Sequence, residues 1–501
     1  MSVLFLILFG SSFLVYNLVA YSGDPTEGLR GNTDPKAVQA LRSLIRNLQL
    51  DVPPPARYFL WLKKVFLNFD FGTTREGLSV ASDLRTAIPT TIRLIILSTI
   101  LAILIGIAFG IVSALRQYTR FDYAMTFVAF VLFSLPVFWV AVLLKQFLAV
   151  SFNNFLATGE IAIWWIAIAS VVSGVFWATI ISGSRKRVWQ IFGIAAVASA
   201  VSLELLSATH WFTHPALGPV AIGVIGVGIA YGITYLSVGL QNKQALKSSL
   251  TMVAAALVLY FPTQWVLKKE AGVFPVLGLL VLTIVIAVAS GLFYSKIDRG
   301  PIVRTTVITA VLIGVTVIID KLMKVWVPYT QTDAINGRPI PTISENNSLL
   351  PPGNFWFSAL DTVLHLFLPT LALSMISFAG YVRYSRGNLL EVLNQDYIRT
   401  ARAKGLTERT VVMRHAFRNT LIPLTTIVVV DFAAIVGGAI ITESVFGWRG
   451  MGTLFNQAIR GQDLNLFMGV FLVTASLTVL ANLVADLLYS ALDPRVRVVA
   501  G

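Results

Sequence analysis

Twelve apolar runs, each about long enough to cross a bilayer, decide what this chain can be. They fall at about 3–21, 93–113, 123–149, 161–183, 191–212, 219–240, 250–267, 273–295, 305–323, 362–382, 421–443 and 465–490. A lipid interior offers no water to backbone N–H and C=O groups, so runs of about 20 apolar residues cross it as helices. The fold class read from this is all-α, a polytopic membrane protein of about 12 transmembrane helices. Composition agrees: 56% of residues are hydrophobic and 12% charged, where a soluble domain carries roughly one quarter charged. A net charge of +14 in a soluble protein would raise nucleic-acid binding. Here the basic residues sit in short loops between apolar runs, which is the pattern that orients a membrane protein. The chain has no cysteine, which excludes disulfides and thiolate metal sites.

The first run has no Lys or Arg before it and no Ala-x-Ala site after it, so it reads as an uncleaved anchor. An external segment, 22–92, follows. It opens on Gly23-Asp24-Pro25, carries a short polar helix over 36–50, and bends at Pro53-Pro54-Pro55. Tyr58, Phe59, Trp61, Leu62, Val65, Phe66 and Phe69 predict an amphipathic helix at the membrane interface, ended by Phe71-Gly72. Pro136 predicts a kink within the third span.

Six runs between 161 and 323 alternate with loops of unequal charge. Arg185-Lys186-Arg187, Lys243 with Lys247, and Lys296 with Arg299 and Arg304 occupy every second loop, whereas 151–160 and 213–218 carry no Lys or Arg. Lys268-Lys269 breaks this pattern, standing on the predicted outer side. Ionisable residues are scarce here, with Glu204 and His210 nearly alone. An even number of added spans returns the chain to the same side. A second external segment, 324–361, holds Pro339-Ile340-Pro341 and Asn346-Asn347-Ser348, the latter with the form of a glycosylation acceptor.

Between the tenth and eleventh runs lies a polar insert, Arg383 to Pro423, with eight Lys or Arg against three acidic residues, which places it on the cytoplasmic side. Its pattern predicts a helix from Leu389 to Lys404, a glycine stop at Gly405, and a second helix from an N-cap at Thr407 through Arg414. Ala401 and Ala403, flanked by Arg399, Arg402 and Lys404, offer small side chains against which another protein's backbone can come close. The other reading is a solvated basic loop touching lipid head groups.

At Tyr397-Ile398-Arg399-Thr400-Ala401-Arg402-Ala403-Lys404-Gly405-Leu406 the chain resembles the cytoplasmic coupling loop of binding-protein-dependent ABC importer permeases, in the dipeptide, oligopeptide and nickel branch. Arg399-Thr400-Ala401 stands where the family has Glu-Ala-Ala, and Gly405 falls at the family's spacing. Leu368-Pro369, Thr442-Glu443-Ser444-Val445-Phe446 and Leu492-Asp493-Pro494-Arg495 also resemble family positions. The resemblance covers 362–497 strongly, 1–150 fairly, and is absent between about 155 and 350. It implies three regions: 1–150, the N-terminal part of a permease core; 151–355, an inserted helical region with an external loop; and 356–501, the C-terminal core with its coupling loop at 383–420.

The resemblance further implies a permease subunit for di- or oligopeptides, or for nickel or another small solute, in the cell membrane. The partners it implies are a second permease subunit, two cytoplasmic ABC ATPase subunits, an extracytoplasmic substrate-binding protein and membrane lipid. Tyr397, Arg399, Thr400, Ala401, Arg402, Ala403, Lys404 and Gly405 would contact an ATPase. No G-x-x-x-x-G-K-[ST] phosphate loop occurs, so any ATPase is another polypeptide, and neither a cofactor nor an enzyme activity is expected. Asp431, Gly437, Gly438 and Glu443 are candidates for the translocation path. A mid-span Asp faces either a cavity or a helix partner, and Gly437-Gly438 serves either a gate or close packing. His365 reads as a bonded interior residue in preference to a metal ligand, and no metal site is expected. A self-contained secondary transporter or channel is the alternative, and it would require inverted repeats or paired intramembrane charges.

Overall fold

The computed structural model describes residues 2–492 except 28, 32, 182, 269–271 and 296–298. Among the described residues it is helical, with one isolated bridge, Thr73–Ser79, and no strand. The chain divides into two compact units: 1–147 with 342–345 and 365–501, and 148–341 with 346–364.

The first unit begins with α1 (Ser2–Ser22), α2 (Pro35–Leu48), α3 (Pro54–Asn68), α4 (Val80–Leu115), α5 (Arg120–Ser134) and α6 (Val137–Leu144). Asp34 caps α2 by accepting the Lys36 N–H at 3.0 Å, and Pro35 fills the first helical position, where no N–H is needed. On α3 the aromatic residues divide. Tyr58, Trp61 and Val65 pack with Tyr16 and Met468, and Tyr58 shares a 2.7 Å hydrogen bond with Ser12, while Phe59, Phe66 and Phe69 are exposed. The expected interfacial helix is thus half a core helix.

At 36 residues, α4 is about 54 Å long against a hydrocarbon core of about 30 Å. Its buried stripe is mostly small: Ala87, Thr91, Ser98, Ala102, Gly106, Gly110 and Ala114 recur at helical spacing. A Cβ on Gly106 would stand 2.6 Å from Tyr381 Cβ, and one on Gly110 1.8 Å from Ser385 Oγ, so glycine is what lets these helices touch. The expected kink at Pro136 is a full break. Leu135 and Pro136 are both extended, because the proline ring excludes the preceding residue from helical geometry. A π-helical stretch, Lys145–Ser151, continues from α6.

The second unit comprises α7 (Phe152–Leu156), α8 (Ile163–Ile180), α9 (Arg185–Ala208), α10 (Gly218–Ser237), α11 (Lys243–Val266), α12 (Val273–Tyr294) and α13 (Arg299–Thr330). α8 and α9 form a hairpin in which Gly174 admits the ring of Phe192 and Ser199 bonds Ser173 at 2.6 Å. α10 to α13 bundle around Ala230, Met252, Val253, Ala287, Ala310 and Ile313. Lipid is as apolar as leucine, so small residues and hydroxyls must hold such helices together. Ser248 accordingly bonds Thr306 at 2.8 Å and Ser290 at 3.1 Å, and Gly291 leaves room for the Val303 backbone.

At the other end of the bundle the fully buried Asp320 accepts the Leu217 and Gly218 N–H groups at 3.0 and 2.9 Å and the Tyr260 hydroxyl at 2.7 Å. It also pairs with Lys324 at 3.1 Å. Asp320 is a buried carboxylate that hydropathy alone passes over. Glu204 and His210, singled out instead, are exposed.

The chain continues through α14 (Phe355–Leu393), α15 (Asp396–Ala403), α16 (Glu408–Thr410), α17 (Phe417–Phe446), α18 (Met451–Arg460) and α19 (Leu464–Leu492). In the first unit Val80 and Leu84 pack against Met451, Ala458, Leu466 and Val470. Among the described residues ten helices are long and apolar enough to cross a bilayer, and Leu6–Ser22 is a shorter apolar one. The run at 421–443 lies on α17. Residues 493–495 of the C-terminal motif lie outside the described residues.

Candidate functional site

The insert between α14 and α17 is built differently from its sequence expectation. α14 runs on through Leu389 to Leu393, so the helix expected over 389–404 is two helices. The Asn394 and Gln395 N–H groups bond the carbonyls three residues back, at 3.2 and 3.1 Å, which closes α14. Gln395 is extended and turns the chain into α15. Asp396 in the first turn of α15 and Arg402 in its last complement the helix dipole.

The underside of α15 is apolar. Ile398 and Ala401, three residues apart, pack onto Leu389, Val411, Ala416 and Ala114. Ala401, expected on the partner-facing surface, is therefore buried, because that register is what shields Ile398. Tyr397, Arg399, Thr400, Arg402, Ala403, Lys404 and Gly405 are exposed. Gly405 has φ +76°, the left-handed geometry that glycine adopts at least cost.

Across this turn Arg402 grips Glu408 with two bonds, at 2.7 and 3.2 Å, and the guanidinium holds the Glu408 carboxyl below its ordinary pKa. Thr407 caps the next segment, its hydroxyl accepting the Thr410 N–H at 3.4 Å. The second helix does not stop at Arg414. Three residues of α16 pass through a π-helical turn, Val411–Ala416, directly into α17. Asn419 also donates to the Tyr397 hydroxyl at 2.8 Å. The small helix α15 is thus tied to α17 through Tyr397 and to the short α16 through Arg402, with six polar or small residues of its own turned outward.

Sequence reading missed the anchor beneath the loop. Arg386 of α14 donates twice to Asp122, at 2.7 and 2.8 Å, and Ser113 donates to the same carboxylate at 2.5 Å. The guanidinium keeps the Asp122 carboxyl below its usual range. The available signal was that Asp122 is the lone acid in the basic stretch Arg116 to Asp122.

Toward the other end of α17, Glu443 is fully buried. It accepts the Thr91 hydroxyl at 2.6 Å and the Gly452 and Thr453 N–H groups at 2.8 and 3.1 Å, capping α18. Gly450 is required there, since a Cβ would lie 2.2 Å from the carboxylate. Asp431, Gly437 and Gly438 are on α17, and their side-chain surroundings lie outside the described residues. His365 is buried on α14. Among the described residues no cluster of three or more His, Asp or Glu could hold a metal ion.

Membrane-length helices in this number, without a strand among the described residues, and a structured basic loop define a multi-pass helical protein of the cell membrane. Residues 251–498 match the family described as the binding-protein-dependent transport system inner membrane component. Over that region, just under half of its length, the chain is similar to this family. The match begins at 251, so the resemblance reaches about a hundred residues into the stretch 155–350 where none was expected, because helices held together by small and hydroxyl residues carry no short motif to recognise.

Among curated relatives, an oligopeptide transport system permease protein (OppB) of Mycobacterium bovis is 44% identical over 146 residues, 29% of this chain and 45% of that protein. An oligopeptide transport system permease protein (AppB) of Bacillus subtilis is 40% identical over 163 residues, 32% of this chain and 52% of that protein. A dipeptide transport system permease protein (DppB) of Escherichia coli is 42% identical over 145 residues, 29% and 42% respectively. The chain thus spans about half the length of the curated relatives it matches.

Proposed function

We propose that this chain is the membrane-spanning permease subunit of an ATP-driven importer of di- or oligopeptides. It would work with a second permease subunit, two cytoplasmic ABC ATPase subunits and an extracytoplasmic binding protein. The observation that carries this reading is α15: a short helix seated on an apolar bed, joined stiffly to α14 and α17, with a cationic outer face. A rigid element transmits displacement where a slack loop would absorb it. An ATPase groove closing on Tyr397, Arg399, Thr400, Ala403 and Lys404 would pull on two membrane helices at once. The relatives' transport of oligopeptides and dipeptides supports the substrate class.

The translocation path would run along α17, past Asp431, Gly437 and Gly438, with Glu443 holding α18 at its outer end. The regions 1–150 and 356–501 would form this core, and 151–355 a helical appendage. ATP hydrolysis would belong to the partners, and the chain itself would be no enzyme.

The test reverses charge on the outer face with Arg399→Glu and Lys404→Glu together, in cells and in vesicles containing the partner ATPases. Peptide uptake and transport-linked ATP hydrolysis should fall while membrane insertion is unchanged. Uphill uptake by the chain alone, driven by an ion gradient without nucleotide, would refute the proposal.

A further inference from the structure

On the topology read from the charge pattern, α11 and α13 end on the outer side, where positive charge runs against the rule that basic loops stay inside. Lys268 follows α11, and Lys321 lies on α13 (Lys269 is outside the described residues). Their surroundings are specific. The Lys268 ammonium lies 4.4 Å from the Trp265 ring centroid, and that of Lys321 lies 5.7 Å from the Trp356 ring centroid. Trp356 Nε1 in turn donates to the Lys268 carbonyl at 3.0 Å, which ties the two positions together. Lys324 is neutralised by Asp320. Among the described residues neither Lys268 nor Lys321 has a carboxylate within ion-pair distance.

Directly below this pair an apolar cavity of about 280 Å³ opens between α11, α12 and α13. Its walls include Met252, Leu267, Leu280, Ile286, Gly314 and Ile318. Leu267 precedes Lys268, and Ile318 stands one helical turn below Lys321, so the lysines sit at the cavity's outer end. From Met252 to Leu267 the slot follows about 22 Å of helix, more than one leaflet's roughly 15 Å of hydrocarbon.

We infer that this slot binds one anionic phospholipid of the outer leaflet, an acyl chain filling the cavity and the headgroup held by Lys268 and Lys321. Among the described residues these two ammonium groups face tryptophan rings and no carboxylate, and a net-negative headgroup supplies the counter-charge at the right depth.

Native mass spectrometry of the full chain, purified in detergent and offered phosphatidylglycerol or phosphatidylcholine with identical acyl chains, tests this. Phosphatidylglycerol should be retained preferentially, and each lysine lost should weaken it about fivefold, so that Lys268→Gln with Lys321→Gln loses on the order of 25-fold. Gly314 lines the cavity, and nothing stands within 4 Å of where a Cβ would go. Gly314→Phe should therefore expel both lipids. Lys268→Arg with Lys321→Arg keeps the charge and should keep the preference. Equal retention of the two lipids, an unchanged glutamine pair, or equal loss in the arginine pair would overturn the headgroup assignment. Retention of both lipids by Gly314→Phe would overturn the acyl-chain site. Displacement of the lipid by inorganic phosphate would reassign the lysines to a free anion.

Discussion

Replacing Gly405 with valine probes the turn that sets α15. The residue sits at φ +76° with nothing within 4 Å of where a Cβ would go, so the damage comes from backbone conformation and not from a clash. Forcing a β-branched residue into the left-handed region costs about 1–2 kcal/mol. The bond that spans the turn, Arg402 to Glu408, has side chains 43% and 60% exposed, and an exposed pair returns about 0.2–1 kcal/mol. Strain therefore outweighs the clamp, and the open form of the turn should rise roughly five- to thirtyfold.

Trypsin cleavage after Arg402 and Lys404 in inside-out vesicles reads that population directly, because cleavage tracks the open fraction when reclosing is fast. Gly405→Asn is the control, since asparagine tolerates the left-handed region. Valine should accelerate cleavage and depress peptide uptake, while asparagine stays near the parent in both. If the two variants are cleaved alike and both transport normally, the turn does not set α15 and the lever reasoning fails.

Gly110→Ala should cost about 1–3 kcal/mol of stability, seen as a lower thermal midpoint in detergent, because its Cβ would meet Ser385 Oγ at 1.8 Å and Val382 O at 2.8 Å. Gly380→Ala, with open space around it, should be neutral in the same melt. Asp122→Asn should destabilise the base of the docking loop by leaving Arg386 partly buried and unmatched. The parent's folded Asp122 pKa is depressed by that guanidinium, so this stability is present above the unfolded value near 4 and is lost as pH falls through the lower folded value. The variant's melting should lack that acid-side loss. Glu443→Gln turns an acceptor facing three donors into a group with its own N–H, and should cost about 1–3 kcal/mol, seen as earlier melting with α18 exchanging amide hydrogen first.

Sequence alone determined the class, the approximate number of crossings and the position of the loop. Each follows from a local rule: backbone groups must be satisfied within a helix in lipid, and basic residues stay on one side. It also placed the glycine at Gly405, because a left-handed stop needs no information from elsewhere in the chain. What it could not supply was direction. Ala401 and Ala403 are alike in sequence, and only the bed of Leu389, Val411 and Ala416 decides that one is buried and the other faces out.

Helix boundaries at 394 and 411 were likewise tertiary decisions, since periodicity continues across both while the chain must turn to seat Ile398. Asp122 meets Arg386 across 264 residues, and Thr91 meets Glu443 across 352. No window along the sequence holds both partners of such a pair. A buried carboxylate becomes readable as a cap or an anchor only once folding has brought its donors to it.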